Sequence, residues 1–213
     1  MTTPIPPKIL YLHGLDSALS PEKQAVLERC FTVVSPQLDY RNTPDMFGRL
    51  SALVAVEKPD AIIGSSMGGC FAYYLAAKYA LPVLCFNPAL GYRPFEIDLP
   101  EVGTAHNPIV FVLGGKDAVV SSAENFAWIR ANSPPNFVLK WYNTMGHRID
   151  IETFTIEVEA FESWTGMSLK RRLSNRLIFK NVRLDFPHLY NPLRLLHYFI
   201  SLLFLTKIQF IFE

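Results

Sequence analysis

A parallel β-sheet packed between two layers of helices is the architecture this chain dictates. Short apolar runs alternate with longer amphipathic ones from Lys8 to Trp164, the pattern of repeated strand–helix units. The short runs are apolar nearly throughout, as strands covered on both faces are. Half of the 213 residues are hydrophobic and 18% are charged. That is too apolar for disorder, and enough to build a core without disulfides or metal.

The elements follow in order. Lys8–Leu12 reads as a buried strand stopped by His13-Gly14. Ser20-Pro21 opens a helix, with a capping hydroxyl before a proline at the first helical position. Phe31–Val34 is a second strand, and Thr43-Pro44 opens a second helix with Phe47, Leu50 and Val54 on one face. Asp60–Gly64 is a third strand, followed by a helix over Gly68–Tyr79. Pro82–Phe86 and Ile109–Leu113 are the fourth and fifth strands. Ser121 with Glu124 forms a capping box for the next helix, and Phe137–Trp141 is the sixth strand. Ile151–Trp164 fits a helix through Ile151, Phe154, Val158 and Phe161, and a strand through Phe154, Ile156, Val158 and Ala160. Its length favours helix.

Charge divides the chain. Residues 1–165 carry 12 basic and 17 acidic residues, a net of −5, whereas residues 166–213 carry 8 and 2, a net of +6. The total of +1 hides this break near Trp164–Gly166. The expected organisation is therefore an α/β domain over 1–165 and a basic, apolar extension over 166–213. The acidic first part has no basic patch with interleaved aromatics, which argues against a nucleic-acid partner. Cys30, Cys70 and Cys85 are odd in number, with no CxxC, so neither a disulfide framework nor a zinc site is expected. The N-terminus MTTPIPPKIL has no signal-peptide pattern, and a reducing cytoplasm is the simplest location.

Ligands of such sheets bind beyond the carboxyl ends of the strands, and that rim is where the chemistry-bearing residues fall. Gly64-Ser65-Ser66-Met67-Gly68 has the form G-x-S-x-G between an apolar strand and a helix, the context of a nucleophile elbow. Ser66 is the candidate nucleophile. The amide of Met67, at the start of the helix, is a candidate oxyanion donor. Leu15, after His13-Gly14, offers a second amide from the first strand's end. Asp117, in Gly114-Gly115-Lys116-Asp117, and His147, in Met145-Gly146-His147, each follow a strand. Alone, Asp117 reads as a turn residue and His147 as a loop residue. Together, the order Ser66, Asp117, His147 is that of an α/β-hydrolase triad. His13 reads as structural, since a base beside the first strand would have the wrong chain order. His106, His188 and His197 have no metal-ligand spacing. Gly114-Gly115-Lys116 is not a phosphate loop.

Tyr11-Leu-His-Gly14, Gly64-Ser-Ser-Met-Gly-Gly69 and Asn87-Pro-Ala89 with Arg93-Pro-Phe-Glu96 resemble the small bacterial YqiA-like esterases, the UPF0227 group of α/β hydrolases. The resemblance covers about residues 8–165. It implies an α/β-hydrolase fold with little lid, and carboxylester or thioester hydrolysis without cofactor or metal. It assigns Ser66 as nucleophile, Asp117 as acid, His147 as base, and Leu15 and Met67 as oxyanion positions. Leu15 stands where phenylalanine is frequent and Met67 where leucine is frequent, but both act through backbone amides. The segment from Asn87 to Pro108 is short for a cap domain, so a shallow acyl pocket for small acyl esters is expected. Asn87-Pro-Ala reads as a strand-end turn beside it.

The rival functional readings are a catalytically silent α/β-hydrolase fold that only binds, and a peripheral membrane protein acting through its tail. In residues 166–213 a basic stretch from Lys170 to Arg183 is interleaved with leucines. Leu195–Phe212 is apolar but broken by His197, Lys207 and Gln209. A membrane-surface element, a partner-binding extension and a non-native continuation all fit, and the abrupt change of composition favours the last. Any membrane association would have to come from this tail.

Overall fold

The structure, a computed structural model, describes residues 6–94, 97–100 and 107–167. The tail from residue 168, with the readings attached to it, and Phe95, Glu96 and His106 lie outside the described residues.

Among the described residues, six parallel strands form one sheet: β1 (Lys8–Leu12), β2 (Thr32–Val34), β3 (Ala61–Ser65), β4 (Val83–Phe86), β5 (Ile109–Gly114) and β6 (Phe137–Tyr142). Their order is β2-β1-β3-β4-β5-β6. The chain leaves β1 toward β2 on one side and returns to β3 on the other. The carboxyl end of β1 thus lies at the point where the winding reverses and a crevice opens. Register aligns Leu12 with Gly64 and Ser65 with Phe86, so the loops after β1, β3 and β4 meet on one rim.

Among the described residues, five helices cover the sheet: α1 (Pro21–Cys30), α2 (Met46–Glu57), α3 (Met67–Tyr79), α4 (Ser122–Asn132) and α5 (Ile151–Trp164). Alternate strand residues feed two cores. Leu10, Leu12, Ile62, Cys85 and Phe111 pack with Leu50, Val54, Phe71, Leu75 and Ile129 of α2, α3 and α4. Ile9, Tyr11, Ile63, Phe86 and Val112 pack with Leu27, Phe154, Val158 and Phe161 of α1 and α5. Covered on both faces, the central strands can be apolar at every position.

Local signals set the helix starts. Ser20 accepts the Lys23 amide, Ser121 the Glu124 amide and Asp150 the Thr153 amide. The second helix begins later than Thr43-Pro44. Asp45, held at φ 49°, caps it by accepting the Gly48 amide at 2.9 Å. A carboxylate cap three residues ahead of a free amide outcompetes the proline as a start. Residues 151–164 are helical: Phe154 and Val158 are fully buried while Ile156 is 51% exposed, which a strand's alternation forbids. Gly166, at φ 70°, follows α5, and Met167 is buried in the α1–α5 core.

Candidate active site

Ser66 sits between β3 and α3 at φ 54° and ψ −120°, a conformation that costs a non-glycine residue on the order of 1–3 kcal/mol. Its neighbours make the turn possible. A Cβ on Gly64 would lie 2.4 Å from the Gly68 carbonyl oxygen, and one on Gly68 would lie 2.1 Å from the Leu12 oxygen. The sharp turn therefore needs hydrogen at both positions. It is held by the Ser66 N–H donating to Phe86 O at 2.9 Å, and by Ser66 O accepting the Cys70 and Ala89 amides at 3.0 Å.

Asp117 follows β5, His147 follows β6, and the structure brings both to Ser66. His147 Nδ1 is 2.8 Å from Asp117 Oδ2, and His147 Nε2 is 3.0 Å from Ser66 Oγ. A carboxylate only accepts, so Nδ1 carries the proton and Nε2 is left to accept from the Ser66 hydroxyl. The Asp117 side chain is 1% exposed and that of His147 21%. Burial pushes the Asp117 carboxyl up, but the hydrogen bond from His147 and those from the Val120 and Val119 amides outweigh it and hold it below its ordinary value. Asp117 is thus kept anionic at neutral pH.

The two expected oxyanion positions flank the serine. Met67 is the first residue of α3, so its N–H is one of the helix's orphan donors. Gly14 packs directly on the serine, since a Cβ there would lie 3.2 Å from Ser66 Cβ, and Leu15 follows it. His13 is structural, as the sequence suggests. Its Nε2 accepts the Leu38 N–H at 2.9 Å and its Nδ1 donates to Gly14 O at 2.7 Å. Both ring nitrogens are committed to backbone partners and the residue is 1% exposed.

Sequence reasoning passes over Asn87 as a simple turn. The residue is 1% exposed at φ 41°. Its Oδ1 accepts the Gly114 N–H at 2.7 Å, and its Nδ2 donates to Gly146 O at 3.0 Å and His147 O at 3.1 Å. The signal available in sequence is an asparagine at a strand end, but its partners lie 27 to 60 residues away.

No cysteine rivals the serine. All three are free and buried, and burial pushes the Cys30 and Cys70 thiols up to about 11. Two clefts are formed in part by the loops around Asp117 and Tyr40, and neither is lined by Ser66 or His147. One, of about 680 Å³, lies beside Asp117 and between Tyr92 and Trp141. The other, of about 320 Å³, is walled by Tyr40, Phe47, Phe71 and Ile97. Among the described residues between Asn87 and Pro108, Tyr92 lines the first and Ile97 and Asp98 the second. Among the described residues, no three histidine, cysteine or acidic side chains are grouped so as to hold a metal ion, and no helix is long and apolar enough to cross a membrane.

Comparison with known structures bears on the frame. A protein assigned to the hydrolases of the α/β superfamily, from Xanthomonas campestris pv. campestris, superposes with a TM-score of 0.56 at 23% identity, over 74% of this chain and 99% of the other. SOBER1 of Arabidopsis thaliana gives 0.56 at 20% identity, over 79% and 99%. Est1E from Butyrivibrio proteoclasticus, solved with ferulic acid bound, gives 0.60 at 16% identity, over 76% and 90%. At these identities the likeness shows the α/β-hydrolase fold. Residues 8–113 match the sequence model of the family described as "Uncharacterised protein family (UPF0227)". That stretch contains the His-Gly loop, the serine elbow and the Asn87 turn, and by it the chain, with its α/β-hydrolase fold, belongs to the UPF0227 family.

Proposed function

We propose that the protein is a serine hydrolase that cleaves carboxylic esters, and thioesters, of small acyl groups through an acyl-enzyme. The observation that carries the reading is the unbroken hydrogen-bonded chain from Ser66 Oγ through His147 to Asp117, at 3.0 and 2.8 Å, ending on a serine held in a strained elbow. Structural serines rarely justify such strain.

The chemistry follows from the protonation states. Ser66 Oγ attacks the acyl carbonyl as its proton passes to His147 Nε2. The imidazolium that forms is stabilised by the Asp117 carboxylate through Nδ1–H. The carbonyl oxygen becomes an oxyanion, for which the Met67 and Leu15 amides are the donors. Collapse expels the alkoxide or thiolate, which takes the proton from Nε2. Water, deprotonated by the same nitrogen, then attacks the acyl-serine and releases the acid. The partner is a small-molecule acyl ester, and the reaction draws on nothing beyond these groups and water. A reducing cytoplasm suits a protein with three buried free thiols.

The test is intact mass after exposure to a fluorophosphonate probe. One adduct on the wild type and none on Ser66→Ala is the expected result. A folded wild type that takes no adduct would favour a silent binding module and end this reading.

A further inference from the structure

Strand β4 supplies none of the three residues assigned to the reaction, yet its end touches all three segments that do. Phe86 O and the Ala89 N–H hold the backbone of Ser66. The Asn87 N–H donates to Val112 O at 2.8 Å on β5. The Asn87 side chain then binds the Asp117 loop at Gly114 and the His147 loop at Gly146 and His147. β4 lies between β3 and β5 in the sheet, so its end can reach toward both sides. It can reach past β5 because Gly114 is bare: a Cβ there would lie 2.5 Å from Met145 O and 2.7 Å from Gly146 O. The His147 loop rests directly on that glycine.

From this geometry we infer that Asn87 is a positioning residue, whose side-chain amide fixes the His147 loop against the Asp117 loop and thereby sets the reach of His147 to Ser66. The inference rests on the hydrolase reading of those three residues. The chemistry requires an amide. One end must accept from an N–H and the other must donate twice, to two carbonyls, and asparagine does both with every polar hydrogen used. Aspartate has the same shape but would turn an oxygen toward Gly146 O and His147 O. The positive φ is also one that asparagine tolerates better than most residues.

The experiment compares wild type, Asn87→Gly and Asn87→Asp. Glycine removes the clamp while accepting φ 41° without strain, and aspartate keeps the volume and the Gly114 bond. Steady-state kinetics on an activated ester are read beside the downfield proton resonance of the His147–Asp117 hydrogen bond, with circular dichroism to check folding. In the folded variants kcat should fall by about 100-fold, the scale of an ångström of misplacement, with KM within about twofold and the downfield resonance lost. A folded variant with wild-type kcat overturns the inference. So does one whose kcat and KM change together while the resonance persists, since that marks Asn87 as scaffold alone. Failure of the hydrolase reading looks different: the wild type would show no turnover, or Ser66→Ala would remain active, and the resonance would still report on the clamp.

Discussion

Asp117 divides its two oxygens between two tasks. Oδ2 accepts from His147, while Oδ1 accepts from the amides of Val119 and Val120. Those amides can only donate, so an asparagine at 117 must keep its oxygen on them and turn its NH₂ toward His147. Nδ1 would then have to accept, and the proton would move to Nε2, where it faces Ser66 and disables the base. Asp117→Asn is expected to lower kcat by about 10⁴-fold with the fold retained, as initial rates beside circular dichroism would show. The same carboxyl links stability to pH. Its folded-state value is depressed, so its contribution is fully present above the unfolded value of about 3.9 and is lost as pH falls through the folded one. Denaturant unfolding of both proteins across acid pH should show the difference between them narrowing there; a gap independent of pH would contradict the assignment. This pairing was legible only as a conjunction. Nothing around Asp117 or His147 alone separates either from an ordinary loop residue. Three residues in the right order, each after an apolar run, did.

Among the described glycines, a Cβ would meet backbone most closely at Gly68, where α3 meets the end of β1. Gly68 has the Leu12 and His13 carbonyl oxygens so near that a Cβ would fall 2.1 and 2.3 Å from them, and backbone cannot move aside as a side chain can. Gly68→Ala should therefore destabilise the protein by about 3 kcal/mol, the upper end for overpacking, measured as a lower denaturation midpoint at unchanged slope. By contrast Gly146, whose nearest neighbour is 3.7 Å from a built Cβ, has ordinary room. Element existence and type were readable throughout 8–164 because burial on two faces writes itself as continuous apolar strands. Starts and stops were less so. Strand β3 runs to Ser65, and α3 begins at Met67, not Gly68, because the elbow compresses the transition to a single residue. The Asp45 cap depends on a left-handed backbone that a Thr-Pro signal hides. Asn87 was missed for a different reason: its partners are set by strand order, which no local pattern encodes.

Strand order is what turns scattered loops into one site. Residues 13–15, 66, 87, 117 and 147 converge because β1, β3, β4, β5 and β6 are consecutive neighbours in the sheet. The described residues end at Met167, buried at 2% exposure in the α1–α5 core, so the sheet and the Ser66–His147–Asp117 site are all contained in residues 6–167. A protein shortened to residues 1–167 is expected to fold and to take one fluorophosphonate adduct, read by intact mass; an insoluble or unlabelled product would show that the remaining residues are required. Cutting at 165, where the charge changes, would also remove Met167 from the core, a contact that composition could not reveal. The position of β6 at the sheet's edge, carrying the last of the three residues, has a consequence for biosynthesis. A nascent chain elongating at about 5–20 residues per second exposes Ser66 seconds before His147 is made. Until β6 docks on β5, that serine is an ordinary alcohol. Assembled in this order, the hydrogen-bonded chain from Ser66 to Asp117 forms only with the completion of the sheet.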